Sequence, residues 1–154
     1  MSATRSEARA LAYFDTSVLV KRYVRERGAA QARALLQDRQ FLSSAITPVE
    51  AVSALSRRRA AGDLSRANFD AILAQLARDR RHWALVEVTS GILDRAETVI
   101  RETGVRTLDA IHLASAVQVQ TGAGSPGLHL VFVTADAVQH DAALRLGLEV
   151  HHVS

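Results

Sequence analysis

An α/β domain built on a parallel sheet is the fold this sequence predicts, on three observations. Short apolar runs rich in β-branched or aromatic residues alternate with longer stretches of helical period. The length of 154 residues suits one domain of that class. Leu, Ile, Val and Phe supply more than a quarter of the chain, so a core can form with no metal or disulfide merely to hold it together.

The elements follow in chain order. Leu11, Ala12, Tyr13 and Phe14 run apolar and give a first strand over 11–14. Helical period follows over 17–26 and 29–39, with Gly28 placed where a chain leaves a helix. A second strand over 41–44 leads to a helix over 48–60. Its start is marked by Thr47 as a capping residue, Pro48 in the first turn and Glu50 three residues after the cap. Gly62 follows that helix, and Ser65 caps the next, over 66–80. A third strand over 83–88 precedes a helix over 90–102 that closes near Gly104, and Thr107 caps a helix over 108–120. The stretch TGAGSPG over 121–127 reads as a flexible loop. A fourth strand over 129–133, a helix over 137–146 ending before Gly147, and a strand over 148–151 complete the domain. Five strands and about seven helices make a single domain over 1–154, with its core at about 11–152.

Composition excludes several classes of function. There is no Cys, which removes disulfide frameworks, thiolate zinc sites and Cys nucleophiles together. No run approaches the ~18 apolar residues of a membrane span, and the first ten residues lack a signal-peptide apolar stretch, so a soluble cytoplasmic protein is expected. The net charge is +3, and every basic residue but Lys21 is Arg. The planar Arg fork suits phosphate, a weak pointer to nucleic acid that GC-rich coding would produce equally well.

The informative acids are placed by the strands. Asp15 directly follows the first strand, and Asp136 comes three residues after Val133. In an open parallel sheet the carboxyl ends of the strands form the rim where ligands bind. Glu50 and Asp109 fall in first helical turns that can face the same rim. Each acid also has a plain structural account: Glu50 as a capping-box acceptor, Asp109 as an anion favoured by the helix dipole, Asp15 and Asp136 as helix caps. Capping alone does not require four acids at one edge of one sheet. Oxygen ligands without His or Cys are what Mg²⁺ or Mn²⁺ prefers, and such a cation would relieve the repulsion among the acids. It would also polarise a phosphoryl oxygen and activate water for in-line attack on a phosphodiester.

Four segments carry a resemblance. They are Tyr13-Phe14-Asp15-Thr16-Ser17 with the Val18 to Tyr23 run after it, Ile46-Thr47-Pro48-Val49-Glu50, Thr107-Leu108-Asp109-Ala110-Ile111-His112-Leu113-Ala114, and Phe132-Val133-Thr134-Ala135-Asp136. In this order they resemble the successive motifs of the PIN-domain family, particularly the VapC-type toxins of toxin–antitoxin pairs, over nearly the whole chain. The resemblance implies a three-layer α/β/α sandwich with a central, mostly parallel sheet. It also implies a Mg²⁺- or Mn²⁺-dependent endoribonuclease, with Asp15, Glu50, Asp109 and Asp136 as the catalytic and metal-holding acids. Thr16, Ser17 and Thr134 match polar positions bordering the pocket, where hydroxyls orient carboxylates or water. A homodimer and a small VapB-like antitoxin are the partners it implies, beside RNA. Ala135 departs from the pattern, standing where an aromatic is common, and Asp141 is a possible further contributor to the site.

Other residues read more plainly. His112 lies three residues after Asp109 on a largely apolar face and reads as a structural hydrogen-bonder rather than a general base. His140, His151 and His152 have no ligand-like spacing, and the last two read as a fraying tail. Trp83 and Tyr23 read as core or interface residues, because no aromatic series accompanies them. Arg57, Arg58 and Arg59 close a helix, as do Arg78, Arg80 and Arg81; the alternative is that these arginines track RNA phosphates, with Arg57, Arg58 and Arg59 the candidate contacts. Val49, Val52, Ala54 and Leu55 read as an apolar helix face able to offer a partner groove. Two other classes remain open: a non-cutting scaffold of the same fold, and a response-receiver-like α/β protein, which the single Lys disfavours.

Overall fold

A computed structural model describes residues 9–122 and 129–154. Its sheet has five strands: β1 (Leu11–Phe14), β2 (Gln40–Ser44), β3 (Ala84–Val86), β4 (Val131–Thr134) and β5 (Glu149–His152). They run in the order β3-β2-β1-β4-β5, and every neighbouring pair is parallel. The chain builds outward from β1 through β2 to β3, then returns to add β4 and β5 on the other side. The order therefore reverses between β1 and β4, where Tyr13 lies opposite Phe132 and Phe14 opposite Val133. At such a switch point the crossovers leave in opposite directions and open a crevice at the carboxyl ends of the strands.

Seven α-helices among the described residues cover the sheet: α1 (Thr16–Val20), α2 (Ala29–Asp38), α3 (Thr47–Ala60), α4 (Arg66–Asp79), α5 (Ser90–Thr103), α6 (Thr107–Gly122) and α7 (Ala137–Arg145). Strand alternation sorts β1 between two cores. Tyr13 points to the side where Phe132 packs with Ile92 and Val99 of α5, Leu113 of α6 and Ala143 of α7. Ala12 and Phe14 point to the other, with Val18, Ala32 and Val153. A third cluster joins Leu19 and Val20 of α1 to Leu55 of α3 and to Phe69 and Leu76 of α4. The sandwich is thus layered as expected, and its sheet is parallel throughout. Among the described residues no helix is long and apolar enough to cross a membrane.

Several local expectations are corrected. The helix expected over 17–26 stops at Val20, because the chain turns there to bring Tyr23 and Val24 into the third cluster. Gly28 does not end a helix: at φ +80° it is the left-handed residue that opens α2, and an added Cβ would sit 3.0 Å from Val153. The third strand shrinks to three residues at the sheet edge, since Trp83 closes a 3₁₀ turn over Arg80–His82 and packs on Phe41. The tail does not fray, because His151 and His152 pair with β4. Thr121 and Gly122, expected in a loop, continue α6; residues 123–127 of that stretch lie outside the described residues. Thr47 does not cap α3 but starts it, with its hydroxyl 2.6 Å from that of Ser43, and Thr107 likewise lies inside α6. Ser65, in contrast, caps α4 as read, and Gly104 and Gly147 adopt the left-handed conformation after α5 and α7.

Candidate functional site

The switch point fixes the position of two acids. Asp15 leaves β1 and caps α1, accepting from the Ser17 amide at 3.3 Å and the Ser17 hydroxyl at 2.5 Å. Asp136 caps α7, accepting from the Gln139 amide at 2.9 Å. The two strand ends are stitched together: Thr134 Oγ1 lies 3.3 Å from the Asp15 carboxylate and accepts from the Asp136 amide at 3.1 Å. Ser17 Oγ in turn accepts from the Ala135 amide at 3.1 Å. The structural account of these acids as caps is thus correct. It does not exhaust them, since an aspartate that caps through one oxygen can present the other.

Glu50 and Asp109 arrive from the first turns of α3 and α6. Glu50 is not a capping-box acceptor, because α3 has no side-chain cap at its start. Its Oε1 accepts instead from Thr16 Oγ1 at 2.8 Å and His112 Nε2 at 2.6 Å. Asp109 has a weaker counterion in Arg106, 3.6 Å away and largely solvent-exposed. All four carboxylates line one open cavity of about 980 Å³, together with Thr16, Ser17 and Ala135.

The electrostatics of the cavity are those of crowded like charge. Burial raises the Asp109 carboxyl above its ordinary range, the charges of Asp15 and Asp136 push it the same way, and Arg106 only partly opposes them. His112 is fully buried. Burial alone would favour its neutral ring, but the hydrogen bond to Glu50 and the charges of Asp15, Glu50 and Asp109 outweigh that and raise its pKa. Burial also raises the Tyr13 phenol, so its hydroxyl, 2.8 Å from His112 Nδ1, stays protonated. Among the described residues no three His or acidic side chains gather closely enough to enclose a metal ion. The donor chemistry is nevertheless that of a hard cation held by one or two carboxylates, with water or substrate oxygens completing its shell.

The cationic residues divide. Arg57 and Arg58 line the cavity, Arg57 resting on Ser53 at 2.8 Å and Arg58 paired with Glu26, which also takes Lys21 at 3.2 Å. Arg59, grouped with them as a candidate RNA contact, points elsewhere: its guanidinium lies 5.2 Å over the Phe69 ring. Helical spacing explains this: at 3.6 residues per turn Arg59 lies about 200° round the helix from Arg57. Leu55 is likewise core rather than groove, whereas Val49 is 66% exposed on the cavity rim. Asp141 lies away from the cavity and is exposed beside His140. Sequence reading passed over the contact of His112 with Glu50. The signal was its spacing from Asp109, which puts both on neighbouring positions of one helix.

The PIN domain family matches residues 12–144. Ribonuclease VapC45 of Mycobacterium tuberculosis (strain CDC 1551 / Oshkosh) is 34% identical over 145 residues, spanning 91% of this chain and 94% of that protein. Ribonuclease VapC46 of Mycobacterium tuberculosis (strain ATCC 25618 / H37Rv) is 33% identical over 139 residues, 90% of this chain and 94% of its own. Among solved structures, FitAcB from Neisseria gonorrhoeae superposes with a TM-score of 0.63 at 15% identity, covering 92% of this chain and 97% of that one. VapBC2 from Rickettsia felis, bound to a DNA fragment from its promoter, gives 0.62 at 10% identity, covering 94% and 99%. At those identities the structures speak for the fold.

Proposed function

The chain belongs to the PIN domain family, and from that premise we propose that it is a divalent-cation-dependent endoribonuclease, the toxin of a toxin–antitoxin pair. One observation carries the reading: Asp15, Glu50, Asp109 and Asp136, from four separate elements, line a single cavity at the sheet's switch point. Relatives over nearly the whole chain that bear the name ribonuclease support it. The single domain spans 1–154, and its place of action is the cytoplasm.

Mg²⁺ or Mn²⁺ held in the cavity these four acids line, on one or two of their carboxylates, would supply charge neutralisation at the scissile phosphate and acidify the attacking water. The chain's own residues prepare for that. Ser17 and Thr134 hold Asp15, and Thr16 holds Glu50, so the acids need not reorganise when substrate arrives. Asp109, whose carboxyl is raised by burial and by its acidic neighbours, gains from a cation. Arg57 and Arg58 on the cavity wall meet RNA phosphates beyond the cut. The exposed Val49 and Leu108 beside the acids give a partner protein an apolar foothold, which suits a small antitoxin that closes the cavity. A homodimer is the expected oligomer.

The test is cleavage of total RNA by the purified chain, freed of any co-purifying partner, with Mg²⁺, with Mn²⁺ and with EDTA, beside Asp15→Asn. Asn caps a helix as well as Asp does, so α1 is preserved while the charge is removed. Cutting that needs a cation and is lost in the variant is expected. Cutting that persists in EDTA or in the variant would refute the reading.

A further inference from the structure

One buried polar group has no part in the reaction just described. His112 of α6 has no exposed surface, yet both ring nitrogens are engaged by residues of other elements. Nδ1 meets the Tyr13 hydroxyl of β1 at 2.8 Å, and Nε2 meets Glu50 Oε1 of α3 at 2.6 Å and Thr16 Oγ1 of α1 at 3.3 Å. We propose that His112 is a positioning residue for Glu50: anchored from behind by Tyr13, it pins one carboxylate oxygen so that the other is presented to the cavity.

The donor pattern follows from the chemistry of the partners. An ionised carboxylate only accepts, so Nε2 carries the hydrogen that faces Glu50. Nδ1 meets the Tyr13 hydroxyl, accepting from it when the ring is neutral and donating to it when the ring is protonated, so in either state the ring is held from both sides. Thr16 donates to the same Oε1 at 2.8 Å, so two donors from two elements converge on a single oxygen. Oε2 accepts no hydrogen bond among the described residues. Glu50 is a flexible side chain in a first helical turn, and freezing it costs rotamer entropy that these bonds offset in advance. Asp15 Oδ1 lies 3.7 Å from the same Nε2, so the ring also stands between two carboxylates that repel each other. A ring that served only packing would need neither convergence nor a carboxylate partner.

This inference rests on the cation-dependent reading, and its test separates the two. Mn²⁺ is titrated calorimetrically into the full chain and into His112→Leu, His112→Gln and Tyr13→Phe, with thermal unfolding of each and kcat and KM on RNA. In His112→Leu, Mn²⁺ affinity falls about 10–100-fold and kcat falls with it, while KM is unchanged. Gln places an amide donor near the Nε2 position and recovers most of both. A folded His112→Leu that binds Mn²⁺ as the parent does overturns the proposal. Should that variant not fold, Tyr13→Phe keeps the ring and drops only the anchor: weakened Mn²⁺ binding supports the proposal and parental affinity overturns it. A parent chain that takes up no Mn²⁺ has a different signature, and overturns the cation reading together with this one.

Discussion

Asp79 and Asp109 are both half-buried aspartates, yet the structure treats them in opposite ways. Asp79, at the end of α4, accepts from Tyr23 at 2.6 Å, Arg22 at 3.0 Å and Gln75 at 2.8 Å. Burial opposes its charge, but those three donors outweigh burial and hold its carboxyl below the ordinary range. Asp109 has only the exposed Arg106, and burial together with two other acids raises it above that range. The first charge is satisfied by the protein and ties α4 to the turn after α1. The second has no such set of donors, the difference expected between a structural ion pair and a cavity that takes the proposed cation.

The two aspartates should differ most in activity. Asp109→Asn removes charge and keeps shape, so RNA cleavage should fall by more than the about 100-fold that loss of an outer-shell partner costs, with thermal stability unchanged or raised. Asp79→Asn, measured in the same gel assay, should cut RNA as the parent does. Loss of activity in both would mean the two sites are not separable.

Stability shows the reverse ranking. Asp79→Ala leaves the Tyr23 hydroxyl and Arg22 without their acceptor, at a cost of about 1–3 kcal/mol in chemical denaturation, toward the lower end because Arg22 is partly solvated. The pH dependence sharpens the contrast further. A carboxyl held below its unfolded value of about 3.9 gives stability above that pH and loses it as pH falls through the folded value, which is the Asp79 case. Asp109 has the opposite sign: in the cation-free chain, stability falls as pH rises from about 3.9 through its raised value. Urea midpoints across that range should therefore lose the rising component in Asp79→Asn and the falling one in Asp109→Asn.

The smallest effect concerns the arginines. Arg57→Gln should lower the log–log salt slope of RNA binding by about 0.7, the value for one phosphate contact on a single strand. Arg59→Gln, stacked on Phe69, should leave the slope unchanged. Equal slopes for both would remove the α3 arginines from the interface.

What was legible in the sequence was local. Apolar runs bounded by polar residues located all five strands, and caps that act within three residues, such as Ser65, were read correctly. Illegible were features decided by distant partners. The sequence around Thr47 and Glu50 satisfies a capping box, but Ser43 takes the Thr47 hydroxyl and His112, 62 positions away, takes the glutamate. The first helix ends early because Tyr23 and Val24 find a cluster made by α3 and α4. The four acids could be assigned to one rim because each follows a strand or opens a helix. Which cations join them depended on helical phase, which separates Arg57 and Arg58 from Arg59.

The central claim is that the rim holds its charge for a divalent cation, and thermal unfolding with and without Mn²⁺ addresses it most directly in the parent, Asp79→Asn and Asp109→Asn. A ligand that binds only the folded state raises Tm. Mn²⁺ should raise Tm in the parent and in Asp79→Asn and lose most or all of that effect in Asp109→Asn, whereas an equal rise in all three, or none in the parent, would contradict a cation-holding rim.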